Sequence, residues 1–114
     1  MKFSFTARHF KAPENLIEFA ENETEKLSKY YDGLMKCNMI LSSEKATSII
    51  KTAEVIVTAN THHVFTGKAR TDDFKLSIEQ AFAKVRVQLK RFKEKLKSNH
   101  KPKRIKDIQL REIS

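Results

Sequence analysis

The stretch DFKLSIEQAFAKVRVQLKRFKEKLK, residues 73–97, decides the fold. Its apolar positions Ile78, Phe82, Val85, Leu89, Phe92 and Leu96 are separated by steps of 4, 3, 4, 3 and 4, the period of an α-helix with one buried stripe. Asp73 is suited to cap the start, because its carboxylate can accept from the first free backbone N–H groups. Pro102 prevents continuation at the other end. The spacing predicts a helix over 74–98. At about 100° per residue the apolar side chains occupy an arc of only about 80°, a narrow seam suited to lying on a sheet. Val87 is read as the one large apolar residue on the outer arc.

The same helix carries most of the charge. Residues 84–106 hold eleven of the chain's 23 Lys and Arg and one of its 14 acids, so the net charge of +9 is almost entirely local along the sequence. The bases fall into two stripes flanking the seam: Lys84, Arg91 and Lys95 with Gln88 among them, and Arg86, Lys90, Lys93 and Lys97. Like charges stand four residues apart in Arg86 with Lys90, Arg91 with Lys95 and Lys93 with Lys97. Each such pair destabilises a helix by roughly 0.2–0.5 kcal/mol. A solvated face would mix signs. A helix that keeps this self-repulsion fits a phosphate-bearing partner, which relieves it and releases counter-ions.

Working outward, Phe3, Phe5 and Ala7 alternate with Ser4, Thr6 and Arg8, the period of a half-buried strand over about 2–9. Pro13 can open a helix. Leu16, Phe19, Ala20, Leu27 and Tyr30 then recur at helical spacing, predicting a first helix over 13–31 that Gly33 would close in the left-handed conformation. On this reading Tyr30 belongs to the buried stripe and Tyr31 is left open, available to stack on an unpaired base. Cys37, Met39 and Leu41 alternate with polar neighbours in a second strand. A polar break over 42–47, the β-branched run AEVIVTA (53–59) and VFTGKAR (64–70) complete the set.

The order β-α-β-β-β-α predicts an α+β two-layer sandwich: a four-stranded sheet with both helices on one face, and a right-handed crossover where the first two strands run parallel. Residues 1–98 then make one domain, and 99–114 a basic, flexible tail.

At 114 residues, 39% apolar and 32% charged, the chain suits a single folded domain with a core. Cys37 is the only cysteine, so no intramolecular disulfide and no cysteine cluster can form, which suits a reducing compartment. The alternation of Met1 to Phe10 differs from the apolar block of a signal peptide, and a cytoplasmic protein is expected. The apolar seam of the second helix is needed on the sheet, which argues against a membrane partner. No nucleophile elbow, phosphate loop or zinc-protease motif is present, and Gly33 and Gly67 are the only glycines, so neither an enzyme nor a small-molecule substrate is expected. His62 and His63 with Cys37 could suggest a metal site. Adjacent strand residues point to opposite faces, and a polar turn with no metal and no cofactor is the reading adopted. The outer sheet face would carry Ile40, Ile56 and Val64 among polar residues, a small apolar patch for a protein partner or a dimer.

The chain resembles the short ribosome hibernation-promoting factors, also described as ribosome-associated inhibitors or sigma-54 modulation proteins. The resemblance covers about residues 1–98. It lies in FSFTARHF (3–10), EKLSKYYDG (25–33), DDFKLSIE (72–79) and KVRVQLKRFKEKLK (84–97), in that order and spacing. It implies a fold similar to the double-stranded-RNA-binding domain with an extra first strand. It also implies a partner, the small ribosomal subunit with its 16S rRNA and nearby ribosomal proteins, bound in the channel for messenger and transfer RNA. Translation would be silenced there by occlusion, under stress or in stationary phase, by a protein monomeric off the ribosome.

By the same resemblance Lys26, Lys29, Lys84, Arg91 and Lys95 face rRNA; the charge stripes add Arg86, Gln88, Lys90, Lys93 and Lys97 to the candidate RNA-binding set, and which stripe of the second helix faces the RNA stays open. Glu23 and Glu25 stand where relatives are often basic or neutral, which implies a reduced RNA surface on the first helix. The dimerisation domain of the long forms is not among these 114 residues. Both ribosome pairing through another factor and inactivation of single ribosomes stay open, as does a general double-stranded-RNA-binding module.

Overall fold

The computed structural model describes residues 1–43 and 50–100, with side chains through Leu96. The elements are β1 (Lys2–Arg8), α1 (Glu14–Tyr30), β2 (Leu34–Ser43), β3 (Lys51–Ala59), β4 (Val64–Thr71) and α2 (Phe74–His100). They form the expected α+β arrangement, a mixed four-stranded sheet in the order β1-β2-β3-β4. β1 and β2 are parallel with α1 in the crossover, and the other pairs are antiparallel. Most of the polar break expected over 42–47, and the tail beyond α2, lie outside the described residues.

Alternation decides which face of each strand meets the helices. Cys37, Met39, Leu41, Val55, Val57, Phe65 and Ala69 are buried on the helix side, together with Leu27 of α1 and Ile78, Phe82, Val85 and Leu89 of α2. Fully burying a large apolar side chain contributes roughly 1.5–3 kcal/mol, so the seam of α2 is a principal bond between the layers. Leu76 and Val87, at 41% and 51% exposure, both stand on the outer arc, so Val87 is not alone there.

The start of α2 is tied down as its N-cap requires. Leu76 N donates to Asp73 Oδ2 at 3.1 Å and Ser77 N donates to Asp73 O at 3.0 Å. Ser77, fully buried, donates its hydroxyl to Lys51 O at 2.7 Å and lies 2.7 Å from Thr71 Oγ1, which joins the helix start to β3 and β4.

Farther along, α2 comes down directly onto Gly67. A Cβ added there would stand 2.1 Å from Ala81 O and 3.3 Å from Lys84 Cβ. Glycine is required at this point by close approach and not by a special dihedral.

The end of α1 departs from expectation. Neither glycine has a positive φ, and the cap residue Tyr31 is extended with its N–H bonded to Leu27 O at 3.0 Å. Gly33 matters because the Tyr31 ring folds over it: an added Cβ would meet Tyr31 Cε2 at 2.6 Å. The roles of the two tyrosines are therefore exchanged. Tyr31 packs on the core, edge-on to Phe92 at 5.8 Å, and Tyr30 is exposed. The helical period placed Tyr30 in the stripe, but the chain turns out of the helix at Tyr31 and swings the second ring inward.

β2 begins earlier than its alternation suggests, at Leu34, with a register shift between Leu34 and Lys36. Such a bulge breaks the period of two, which is why the alternating signature began only beyond it.

Candidate nucleic-acid interface

The two stripes of α2 meet different parts of the fold. The Lys84–Gln88 side overhangs β4, an edge strand with one row of backbone groups unpaired by the sheet. Gln88 answers both groups of Thr66: its Nε2 donates to Thr66 O at 2.6 Å and its Oε1 accepts from Thr66 N at 3.2 Å. Lys84 Nζ donates to Lys68 O at 2.5 Å. An amide and an ammonium thus stand in for a fifth strand along this edge. The Gly67 contact brings the helix close enough for both to reach.

The Arg86–Lys93 side faces α1. Glu23, buried between the helices, accepts from Arg86 Nη2 at 3.2 Å and from Lys26 Nζ at 3.0 Å. Lys93 Nζ donates to Tyr30 O at 2.8 Å and lies 4.1 Å from the centre of the Tyr30 ring. That carbonyl is among the last of α1, where an approaching cation is favoured by the helix dipole.

The sequence-derived residues divide accordingly. Lys84, Gln88, Arg86, Lys93 and Lys26 are brought to the seams of the fold and have partners there. Lys90, Arg91 and Lys95 are exposed in the last turns of α2 and Lys29 in the last turn of α1, with no ion-pair or hydrogen-bond partner among the described residues. The side chain of Lys97 lies outside the described residues. Lys29 stands at the negative end of the α1 dipole, where a cation is favoured. Sequence periodicity located both stripes but missed Glu23 as the counter-charge of Arg86. A glutamate in the middle of α1 carries no mark of which residue on another helix it will meet.

Cys37 is buried, and burial pushes its thiol above the ordinary range, opposed by the Thr24 hydroxyl that donates to Sγ at 3.5 Å. The His63 ring centre lies 4.5 Å from that of Phe92, and its Nδ1 is 2.8 Å from Thr61 Oγ1. His62, at φ 69°, forms the hairpin turn. Among the described residues no group of three or more His, Cys, Asp or Glu could hold a metal ion, and no helix is long and apolar enough to cross a membrane.

The profile of the family described as sigma 54 modulation protein / S30EA ribosomal protein matches residues 3–97. The chain belongs to this family. Its members are binding factors and not enzymes. Two solved structures share the fold of this family member. One is a ribosomal subunit interface protein from Coxiella burnetii (TM-score 0.73, 18% identity, 82% of this chain and 99% of that one). The other is the Protein Y N-terminal domain from Thermus thermophilus (TM-score 0.70, 20% identity, 81% and 99%). No curated protein sequence matches.

Proposed function

We propose that the chain is a ribosome hibernation factor: it binds the small subunit in the messenger and transfer RNA channel and silences translation by occlusion, under stress or in stationary phase. Membership of the family supports association with ribosomes. The observation that carries the RNA contact is that Lys90 of one stripe and Arg91 and Lys95 of the other are exposed and without ion-pair or hydrogen-bond partners among the described residues, whereas Lys84, Arg86 and Lys93 are engaged by the fold.

Lys29 and Lys26 extend the surface on α1, although Lys26 shares Glu23 with Arg86. Residues 1–98 act as the binding domain of a cytoplasmic protein that is monomeric off the ribosome. Its contacts are with 16S rRNA and the ribosomal proteins beside it.

Co-sedimentation with purified small subunits over a salt series tests this. The charge-reversed variant Lys90→Glu, Arg91→Glu, Lys95→Glu should stay in the supernatant while melting as the parent does; co-sedimentation at the parental level would refute the face. A general double-stranded-RNA-binding module is the second reading, favoured by the basic helix on a two-layer sandwich. Competition separates the two, since messenger RNA and initiator transfer RNA displace only an occupant of the channel.

A further inference from the structure

The basic surface on α2 has a counterpart on the other side of the molecule. On the sheet face turned away from the helices, strand pairing brings together Lys2 and Arg8 of β1, Lys36 of β2, and Lys68 and Arg70 of β4, all exposed. Among the described residues the one acid of that face is Glu54, half-buried and opposite Lys68 in the register. No strand supplies more than two of these bases to the face, so no segment of the sequence looks basic there. The pairing assembles the patch.

The chemistry of this face suits a phosphate backbone. Lys2 and Lys36 are register partners on adjacent strands, a like-charge pair that costs stability unless an anion lies over it. Arg8 and Arg70 end a row that runs Arg8, Ser42, Thr52, Arg70, three strand spacings or about 14 Å across. A polar hollow of about 130 Å³ occupies this corner, lined chiefly by Arg8, Ser42, Thr52, Glu54, Lys68 and Arg70.

Arg70 also makes contacts within the chain, so the weight falls on Arg8, Lys36 and Lys68. The apolar patch expected on this face is slight. Ile40 and Ile56 are half-buried, and only Val64 is well exposed, at 55%. Cations, hydroxyl donors and little apolar area favour an RNA backbone over a protein partner.

We propose that the outer face of the sheet is a second RNA-binding surface, engaging a backbone different from the one held by α2, so that the chain lies between two RNA segments and joins them. The proposal rests on the ribosomal reading only for the identity of the RNA.

The test neutralises Arg8, Lys36 and Lys68 together (Arg8→Gln, Lys36→Gln, Lys68→Gln) in the full chain. Binding is measured against salt on two probes, a defined RNA duplex and isolated small subunits. These exposed positions leave the thermal midpoint near that of the parent, which checks folding. On small subunits the slope of log affinity against log salt should fall by about 2–3, each lost phosphate contact removing about 0.7–0.9, with affinity at least tenfold weaker at 0.1 M salt.

The matching α2 variant, Lys90→Gln, Arg91→Gln, Lys95→Gln, should lose a similar amount, and the six-fold variant should lose both. A sheet variant that keeps the parental slope on both probes overturns the proposal. So does one that loses retention on polyglutamate while RNA binding is unchanged, since the face would then serve acidic proteins. If the parent fails to bind subunits yet its duplex affinity depends on the sheet residues, the ribosomal reading falls and this surface stands.

Discussion

The two basic surfaces of this protein are built by opposite means. On α2 the bases crowd into one stretch of sequence, and the fold takes three of the six over 84–95 out of play: Lys84 reaches the edge of β4 beside the Gln88 amide, Arg86 is held by Glu23, and Lys93 by the end of α1. Among the described residues, what remains for a partner is Lys90 on one stripe and Arg91 and Lys95 on the other. On the outer sheet face the bases are scattered through three strands, and the fold gathers them. Local charge density in a sequence is thus a poor measure of local charge density on a surface. A helix presents its bases in all directions, whereas a sheet sends alternate residues from every strand to one side.

The largest expected effect comes from reversing the helical surface. At 0.1 M salt the Lys90→Glu, Arg91→Glu, Lys95→Glu variant should bind RNA about two orders of magnitude more weakly, as three lost phosphate contacts imply. Its thermal midpoint should stay near the parent's, because residue 90 gains an attraction to Arg86 but now repels Glu94, while residues 91 and 95 stay like-charged. Filter binding and a melting curve read the two halves of this expectation.

The joint between the two layers is the next place to break the comparison. Gly67→Ala puts a methyl group against the Ala81 carbonyl, with backbone on both sides of the clash. We expect a loss of about 3 kcal/mol, at the upper end of overpacking costs, in chemical denaturation. Because Lys84 and Gln88 reach β4 only from this close approach, the edge should become more prone to strand pairing, visible as concentration-dependent association.

Gln88→Ala tests the edge alone. Thr66 would lose both of its outward partners, although water can replace them at an exposed site, so a cost of about 1 kcal/mol is expected. RNA affinity should change little. A loss of affinity as large as that from the helical variant would return Gln88 to the RNA contact.

Glu23→Gln sharpens the other seam. The ion pairs it makes are partly exposed on the cationic side and should be worth about 1 kcal/mol or less. Freed from their counter-charge, Arg86 and Lys26 should strengthen RNA binding several-fold and steepen its salt dependence by about 1. Unchanged salt dependence would mean that neither base can turn to a phosphate.

The smallest effect concerns the core between the layers. Burial raises the Cys37 thiol above its ordinary value, so the folded state favours the protonated form. The sign is that of any group whose folded value is raised: the stabilisation is present below the unfolded thiol's value, about 8.5, and is lost as pH rises past it. Midpoint denaturation should therefore fall slightly above about pH 8.5, and a Cys37→Ala variant should lack that dependence. A thiol reagent should label the native protein only at the rate of opening.

Much of the architecture was legible because periodicity reports burial directly. The 4-3-4-3-4 seam of α2 becomes four fully buried residues followed by the half-buried Phe92 and Leu96, and the alternation in β1, β3 and β4 becomes the alternation of faces. Chain ends and turns were less legible. Backbone freedom assigns Gly33 to helix closure, but its φ is not positive, and what crowds it is the Tyr31 ring, a side chain whose direction depends on the extended cap. Of the candidate site, the stripes were readable and their division was not. That division depends on Glu23, Thr66, Lys68 and Tyr30, none of them adjacent to α2 in the chain.

The sequence by itself determined the order β-α-β-β-β-α, the seam that binds α2 to the sheet, and the concentration of basic residues along that helix. It could do so because helical and extended periods are local properties of the chain. The tertiary structure alone decided which of those bases keep a free charge, and it alone brought Lys2, Arg8, Lys36, Lys68 and Arg70 onto one face. Both outcomes rest on pairing between segments tens of residues apart, and a charge acquires its partner, or its neighbours of like sign, only when strand register and helix contact set the distance.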